Sequence, residues 1–159
     1  GAFPPLVACD LASAADEATL ALWEITWGII PAGNVMRAVA QVMSHRDSLY
    51  HIMTGEPFNG AKAQEMGLVN KSVPRAELRA HVEGVARTLL DKNPHVLRHA
   101  KSAFKFVENM DWDTSEAVLG AMAVAAGSSD PEKGRRSGMS QFLDEKSYRP
   151  GLETYRREA

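Results

Sequence analysis

Residues 18–34 read ATLALWEITWGIIPAGN, and how this stretch folds decides how the rest of the chain is arranged around it. It holds one ionisable group, Glu24, between Trp23 and Trp27 in a run that is otherwise apolar and punctuated by Gly28, Pro31 and Gly33. Two conformations fit these residues. Glu24 is either a partly buried acid or a strand-edge residue facing water. In the first case desolvation favours the neutral carboxyl, which is how a proton donor is made near neutral pH. In the second it is one more surface carboxylate, as many ion-paired or edge glutamates are.

Upstream, Phe3 to Ala12 is apolar with Pro4 and Pro5 early, which predicts a helix of roughly two turns. Ser13 to Leu22 alternates loosely and predicts one or two short strands flanking an Asp16-Glu17 turn. Downstream the pattern becomes helical. Asn34 is the expected cap of a helix whose apolar face is Val35, Met36, Val39, Val42 and Met43. A second helix is expected from about Arg46 to a left-handed stop at Gly55. Asn59 caps a short helix, AKAQEM, that ends at Gly67. Leu68 to Val73 is expected to be extended, stopped by Pro74. Leu78, Val82, Val85 and Leu89 then follow at spacings of 4, 3 and 4, a helical stripe. Asn93-Pro94 opens another helix with a buried stripe of Leu97, Ala100, Phe104 and Val107. Asp113 with Glu116 reads as a capping box for a long helix through Ala126. A last helix is expected from Glu132 to Asp144. The strands are few and lie towards the N-terminal end, too few to form an independent sheet covered on both faces. Either more of the sheet lies upstream or a partner chain supports this part.

At 159 residues and 45% hydrophobic composition the chain fits one domain with a core. A formal net charge of -2 argues against a general nucleic-acid binder. The charge is uneven: from Pro131 onward Lys133, Arg135, Arg136, Lys146, Arg149, Arg156 and Arg157 face five acids, a local excess of two. One cysteine, Cys9, excludes an intramolecular disulfide, and its apolar neighbours predict a buried, reduced thiol, consistent with the cytoplasm. No stretch approaches the length of a membrane span or reads as a signal peptide. The chain opens without Met and enters an apolar element at once, which predicts that it continues a longer polypeptide.

Other candidate chemistry is sparse. Gly1 before a helix is a candidate oxyanion donor through its backbone N–H, against the plain alternative of a terminal glycine. His95 and His99, four apart with Asp91 a turn earlier, read as a solvated polar face rather than a metal site, which would want more ligands. His45, His51 and His81 are isolated. The methionines read as core filler. No phosphate loop, dinucleotide fingerprint, zinc-protease or paired-cysteine motif is present.

Taken together, GAFPPLVACDLASAADEATLALWEITWGIIPAGN, HRDSLYHIMTGEPFNGAKAQEMGLVNKSVP and GMSQFLDEKSYRPG resemble the crotonase (enoyl-CoA hydratase/isomerase) superfamily. Within it they look like the hydroxycinnamoyl-CoA hydratase-lyases, the feruloyl-CoA enzymes that release vanillin and acetyl-CoA. The similarity runs over essentially the whole chain, with WEITWGIIP and GAKAQEMGLVN its most specific blocks. It implies an α/β fold: the C-terminal part of a ββα spiral over residues 1–73, then a helical oligomerisation region over 74–159. It implies that Glu24 is the catalytic acid/base and that the Gly1 N–H is half of the oxyanion hole. Trp27, Gly28 and Ile29 are the implied substrate contacts, and Phe142 and Lys146 the implied contacts to a coenzyme A. No cofactor is implied, coenzyme A being part of the substrate. The implied partners are an acyl-CoA and further copies of the chain, as a trimer or dimer of trimers.

The chain departs from the hydratase-lyases at two places. Pro4 stands where they carry serine and where two-glutamate hydratases carry a second glutamate. Gly120 stands where they bring a tyrosine to the substrate's phenol, and no tyrosine occurs between Tyr50 and Tyr148. A pocket without that partner discriminates less well for a 4-hydroxyl group. Three functions fit: hydration and retro-aldol cleavage of hydroxycinnamoyl-CoA, hydration or isomerisation of an enoyl-CoA by Glu24 alone, and an inactive subunit that folds only in an oligomer. With half the oxyanion hole missing from these residues, the 159-residue chain by itself is expected to show no turnover.

Overall fold

The computed structural model describes residues 3–151 and 153–157. The chain forms two compact units, Gly1–Glu83 and Gly84–Ala159. In the first, helix α1 (Phe3–Ala8) leads to strand β1 (Ser13–Ala15), a turn at Asp16-Glu17, and strand β2 (Thr19–Leu20). A 3-10 turn follows at Trp23–Trp27, then helices α2 (Val35–Val42) and α3 (His45–Thr54), strand β3 (Phe58–Asn59), helix α4 (Gly60–Glu65) and strand β4 (Lys71–Val73). β1 pairs in parallel with β4, Ala14 opposite Ser72, and β2 pairs antiparallel with β3, Leu20 opposite Phe58. Helix α5 (Arg75–Asp91) contains the division between the units.

The core of the first unit follows from the apolar spacing. Leu22, Val35 and Val39 are fully buried, joined by Met43, Phe58, Ala63, Met66, Leu68 and Val69, with Phe3, Leu6 and Val7 against them. Val35 and Val39 are one turn apart and face this core, whereas Val42 and Met36 lie outside it. The predicted face is therefore half right, being wider than the surface this chain covers. Met43 and Met66 fill the core as expected, but Met36, Met53, Met110 and Met139 are exposed.

Capping is legible at α3 and α4. Gly55 takes the left-handed conformation after α3 (φ 68°), and Asn59 accepts the Lys62 N–H at 2.8 Å. Asn34 occupies the position before α2, but in the left-handed conformation with no side-chain cap. α1 stops at Ala8 rather than Ala12, because Ala12 is claimed by Asn70: the Ala12 N–H donates to Asn70 Oδ1 and the Asn70 N–H to the Ala12 carbonyl, each at 2.8 Å. That same clasp makes Leu68 to Asn70 a turn, so the extended run shrinks to β4. Cys9, just past α1, is exposed rather than buried.

The second unit contains the end of α5, then α6 (Pro94–Val107), α7 (Trp112–Ser129), α8 (Gly134–Met139) and a π-helical segment, Ser140–Asp144. Asn93 caps α6, accepting from the His95 and Val96 N–H groups at 2.9 and 3.1 Å. The capping box expected at Asp113 is displaced. Asp111 accepts the Thr114 N–H at 3.0 Å and starts the helix at Trp112, leaving Asp113 as a first-turn acid. α6 also turns a different side to α7: His95 Nε2–H donates to the Ala126 carbonyl (3.2 Å) and Ser129 Oγ (3.1 Å). His99 Nδ1–H donates to the His95 carbonyl, and the two rings lie 4.2 Å apart. His95 is thus an interhelical contact with His99 packed beside it in the same helix, rather than part of a solvated face, while Ala100 and Phe104 of the expected buried stripe are exposed. The α5 stripe is likewise largely uncovered, with Val82 and Leu89 exposed. The last helix is shorter and later than expected. Asp130 and Lys133 form the turn over residues 130–133, and regular α geometry gives way at Ser140.

Candidate active site

Glu24 lies on the 3-10 turn, not on a strand edge. Leu22, wholly buried, anchors the entry to the turn. Thr26 Oγ1 donates to the Trp23 carbonyl at 2.6 Å, and Gly28 ends the turn in the left-handed conformation, φ 74°. The back of the turn rests on the end of α3. A β-carbon at Gly55 would come within 3.0 Å of Thr26 Cγ2 and 3.3 Å of Ile25 Cγ2. A glycine there both permits the positive φ and lets the two segments touch.

Glu24 is half-buried, and its Oε2 is fully buried with no hydrogen-bond partner among the described residues. A carboxylate oxygen held away from water without a donor is costly, and in a native fold such a group marks either strain or a place for a ligand. Its sequence neighbours are themselves exposed, Trp23 at 45% and Trp27 at 70%.

Trp27, Gly28 and Ile29 lie on the same short segment. The Gly28 N–H donates to the Ile25 carbonyl at 3.2 Å and the Ile29 N–H to the Glu24 carbonyl at 3.1 Å, so both amides are already engaged. What the segment offers a ligand is apolar side-chain surface. Gly1 lies outside the described residues. Phe142, in the π-helical segment, and Lys146, at φ 52° just beyond it, are exposed on the second unit.

Two features of the first unit escape the sequence reading. Ser48 Oγ on α3 is buried and, like Glu24 Oε2, has no partner among the described residues. Nothing in the local pattern distinguishes it from a surface serine. His51, read as isolated, is buried. Its Nδ1 pairs with the Glu56 carbonyl at 2.8 Å and its ring packs 4.5 Å from Phe58. The adjacent Tyr50 hydroxyl donates to the Glu56 carboxylate. That bond, the negative charge of Glu56 and partial burial together hold the phenol above its ordinary pKa. Among the described residues no group of three His, Cys, Asp or Glu side chains could hold a metal ion, and no helix is long and apolar enough to cross a membrane.

The sequence pattern of enoyl-CoA hydratase/isomerase proteins matches residues 5–149 of the chain. The chain belongs to this family. Members of the family act on acyl-CoA thioesters. Over 157 residues the chain is 54% identical to the hydroxycinnamoyl-CoA hydratase-lyase of Pseudomonas fluorescens, covering 99% of the chain and 57% of that protein. It is 27% identical over 144 residues to a bovine mitochondrial protein, enoyl-CoA hydratase domain-containing protein 2, covering 88% of the chain and 48% of the relative. The chain thus spans about half the length of the curated relatives it matches. Its fold superimposes on an enoyl-CoA hydratase of Mycobacterium smegmatis with a TM-score of 0.82 at 23% identity, covering 94% of this chain and 56% of the other. The α/β crotonase fold expected from the sequence is the fold observed.

Proposed function

We propose that the chain is the acid/base-bearing part of a hydroxycinnamoyl-CoA hydratase-lyase, which adds water to feruloyl-CoA and splits the product into an aromatic aldehyde and acetyl-CoA. The observation that carries this reading is the buried, unpartnered Oε2 of Glu24 on the turn Trp23–Trp27. The 54% identity to the Pseudomonas lyase supports the choice of substrate. In hydration the Glu24 carboxylate takes a proton from water as the water oxygen bonds to the β-carbon, and a proton is delivered to the α-carbon. In the retro-aldol step the β-hydroxyl loses its proton, the bond between the α- and β-carbons breaks, and the aldehyde leaves. The acetyl-CoA enolate that remains is then protonated. Negative charge on the thioester oxygen requires backbone N–H donors, of which Gly1 supplies one. Trp27 and Ile29 form an apolar wall for the acyl group, and Phe142 and Lys146 approach a coenzyme A.

Residues 1–73 form the catalytic segment and 74–159 the oligomerisation segment of a homo-oligomer, a trimer or a dimer of trimers. The reaction takes place in the cytoplasm and uses no cofactor beyond the coenzyme A that the substrate carries. The test is release of vanillin from feruloyl-CoA by the protein as its cells make it, wild type against Glu24→Gln. Loss of about 100-fold or more in kcat with unchanged circular dichroism is the expected outcome for a general acid/base. Wild-type-like turnover in Glu24→Gln would refute the assignment.

A second reading is favoured by the absence of any tyrosine between Tyr50 and Tyr148. Without a phenol partner on α7, the same glutamate would serve an enoyl-CoA hydratase or isomerase. Conversion of crotonyl-CoA with none of feruloyl-CoA selects that reading.

A further inference from the structure

Among the described residues two buried side-chain oxygens have no hydrogen-bond partner, Oε2 of Glu24 and Oγ of Ser48. The proposed mechanism uses the first and leaves the second idle. Ser48 is only 4% exposed. A hydroxyl shut away from water without a partner is costly, and each such group in a native fold calls for a reason. An alanine in its place would bring no polar atom to satisfy.

The fold puts the two groups on facing segments of unit Gly1–Glu83. Ser48, Ile52 and Gly55 follow at spacings of 4 and 3, so they share one side of α3 and its stop. That side looks onto the segment Leu22–Thr26. Ile52 packs against the core that holds Leu22. A β-carbon at Gly55 would meet Thr26 and Ile25 and come 3.7 Å from the Leu22 carbonyl. Glu24 lies in the middle of this segment. The titratable residues of α3 are committed elsewhere. Asp47 accepts from Ser44 Oγ at 2.7 Å, the Tyr50 hydroxyl donates to the Glu56 carboxylate, and His51 Nδ1 pairs with the Glu56 carbonyl. His45 and Arg46 are exposed. Ser48 is the polar side chain on the side of α3 that faces the glutamate's segment.

The two groups are chemically complementary. A serine hydroxyl donates to a carboxylate and accepts from a protonated carboxyl. Hydrogen bonds around an acid/base are often long or poorly aligned without substrate and tighten once it binds. We propose that the Ser48 hydroxyl hydrogen-bonds to the Glu24 carboxyl when substrate is bound, as a positioning residue that aims it at the reacting carbons. This rests on the acid/base role proposed for Glu24 and names the partner that orients it. By donating to the charged form, Ser48 favours the carboxylate that takes the proton from water.

Steady-state kinetics of the protein as its cells make it test this, on feruloyl-CoA, or on crotonyl-CoA where only that is turned over. The variants are Ser48→Ala, Ser48→Cys, Ser48→Thr, Glu24→Gln and the double variant Ser48→Ala/Glu24→Gln, with circular dichroism and thermal unfolding to follow folding. Ser48→Ala should lower kcat about tenfold, the size of one hydrogen bond to a charged group, and leave KM unchanged. The acid limb of its pH–rate profile should move to higher pH by about one unit. Ser48→Thr, which keeps the hydroxyl, should restore most of the rate. Ser48→Cys, a weaker donor of nearly the same size, should fall between and carries the comparison if Ser48→Ala does not fold. In the Glu24→Gln background Ser48→Ala should cost nothing further, because nothing is left to position. A serine with a structural role alone would change thermal unfolding and leave kcat and the acid limb in place. That outcome, or equal losses in both backgrounds, overturns the role of Ser48 and leaves Glu24 standing. Wild-type-like turnover in Glu24→Gln overturns both.

Discussion

Unit Gly1–Glu83 and unit Gly84–Ala159 bury opposite kinds of residue. The first has an apolar interior centred on Leu22, Val35 and Val39. In the second, among the described residues, the buried side chains are Asn93, Asp130 and Gln141. Asp130 accepts from Asn93 Nδ2 at 2.9 Å, from the Gly134 N–H at 2.8 Å and from the Glu132 N–H at 3.1 Å. Gln141 exchanges hydrogen bonds with both backbone groups of Arg156, at 2.8 and 2.9 Å. Gly134 fits this knot because a β-carbon there would sit 2.1 Å from the Tyr155 hydroxyl. The second unit thus keeps a polar knot inside and carries its apolar residues outside.

The comparison breaks most visibly under truncation of apolar side chains. Leu22→Ala should cost about 2–5 kcal/mol in denaturant unfolding, as a buried leucine does. Phe104→Ala, at a position 68% exposed, should fall within about 0.5 kcal/mol of wild type, as surface changes usually do. A large loss at Phe104 in the monomeric chain would mean that the second unit has an apolar core after all.

The second unit should instead fail through its knot. Asp130→Ala strands the Asn93 amide and the N–H groups of Gly134 and Glu132, and should cost about 1–3 kcal/mol. The same carboxylate gives the unit a pH dependence. Burial pushes the Asp130 carboxyl up, but the Gly134 N–H, the Asn93 amide and the Glu132 N–H outweigh it and hold it below its ordinary value. A group with a lower folded-state pKa stabilises fully above the unfolded value, at about pH 4, and loses that contribution as pH falls through the folded-state value. Acid unfolding of the second unit should therefore flatten in Asp130→Ala, as followed by helical circular dichroism between neutral pH and pH 2.

Two smaller effects sharpen the picture of the first unit. Gly55→Ala forces an L-residue into the left-handed region against Thr26 and should cost about 1–2 kcal/mol. It should also lower turnover, if the turn carrying Glu24 shifts with it. Asn59→Ala removes the cap of α4 and should cost about 1 kcal/mol.

What was legible in the sequence, and what was not, divides along the same line. Gly55, Asn59 and Asn93 announce local backbone geometry, and each sits where its chemistry places it. The strands flanking Asp16-Glu17 form where the alternation places them, although their partners, β4 and β3, lie far along the chain. Reading the apolar stripe of α6 as buried failed for a different reason: periodicity tells which face is apolar, never what covers it. Phe104 belongs to such a face and lies in solvent. Cys9 sits in an apolar run for the same reason and is likewise exposed. The capping box at Asp113 lost to Asp111 because two acids two residues apart compete for one helix start. At the candidate site the type and place of Glu24 were legible. Its 3-10 turn was not, since that depends on α3 ending at Gly55, far along the chain. Nor was Ser48, whose burial is decided by packing.

One side chain in the polar knot has no adequate substitute. Arg157 grips both oxygens of Glu132, at 2.6 and 2.7 Å, while its Nη1 donates to the carbonyls of Asp91 and Lys92 at 3.3 and 2.9 Å. Glu132 in turn keeps the guanidinium firmly protonated. A planar fork can face a carboxylate on one edge and a helix end on the other, whereas a lysine brings a single point of charge that must choose between them. Arginine-to-lysine exchange, the mildest change by charge, would unfasten residue 157 from the end of α5.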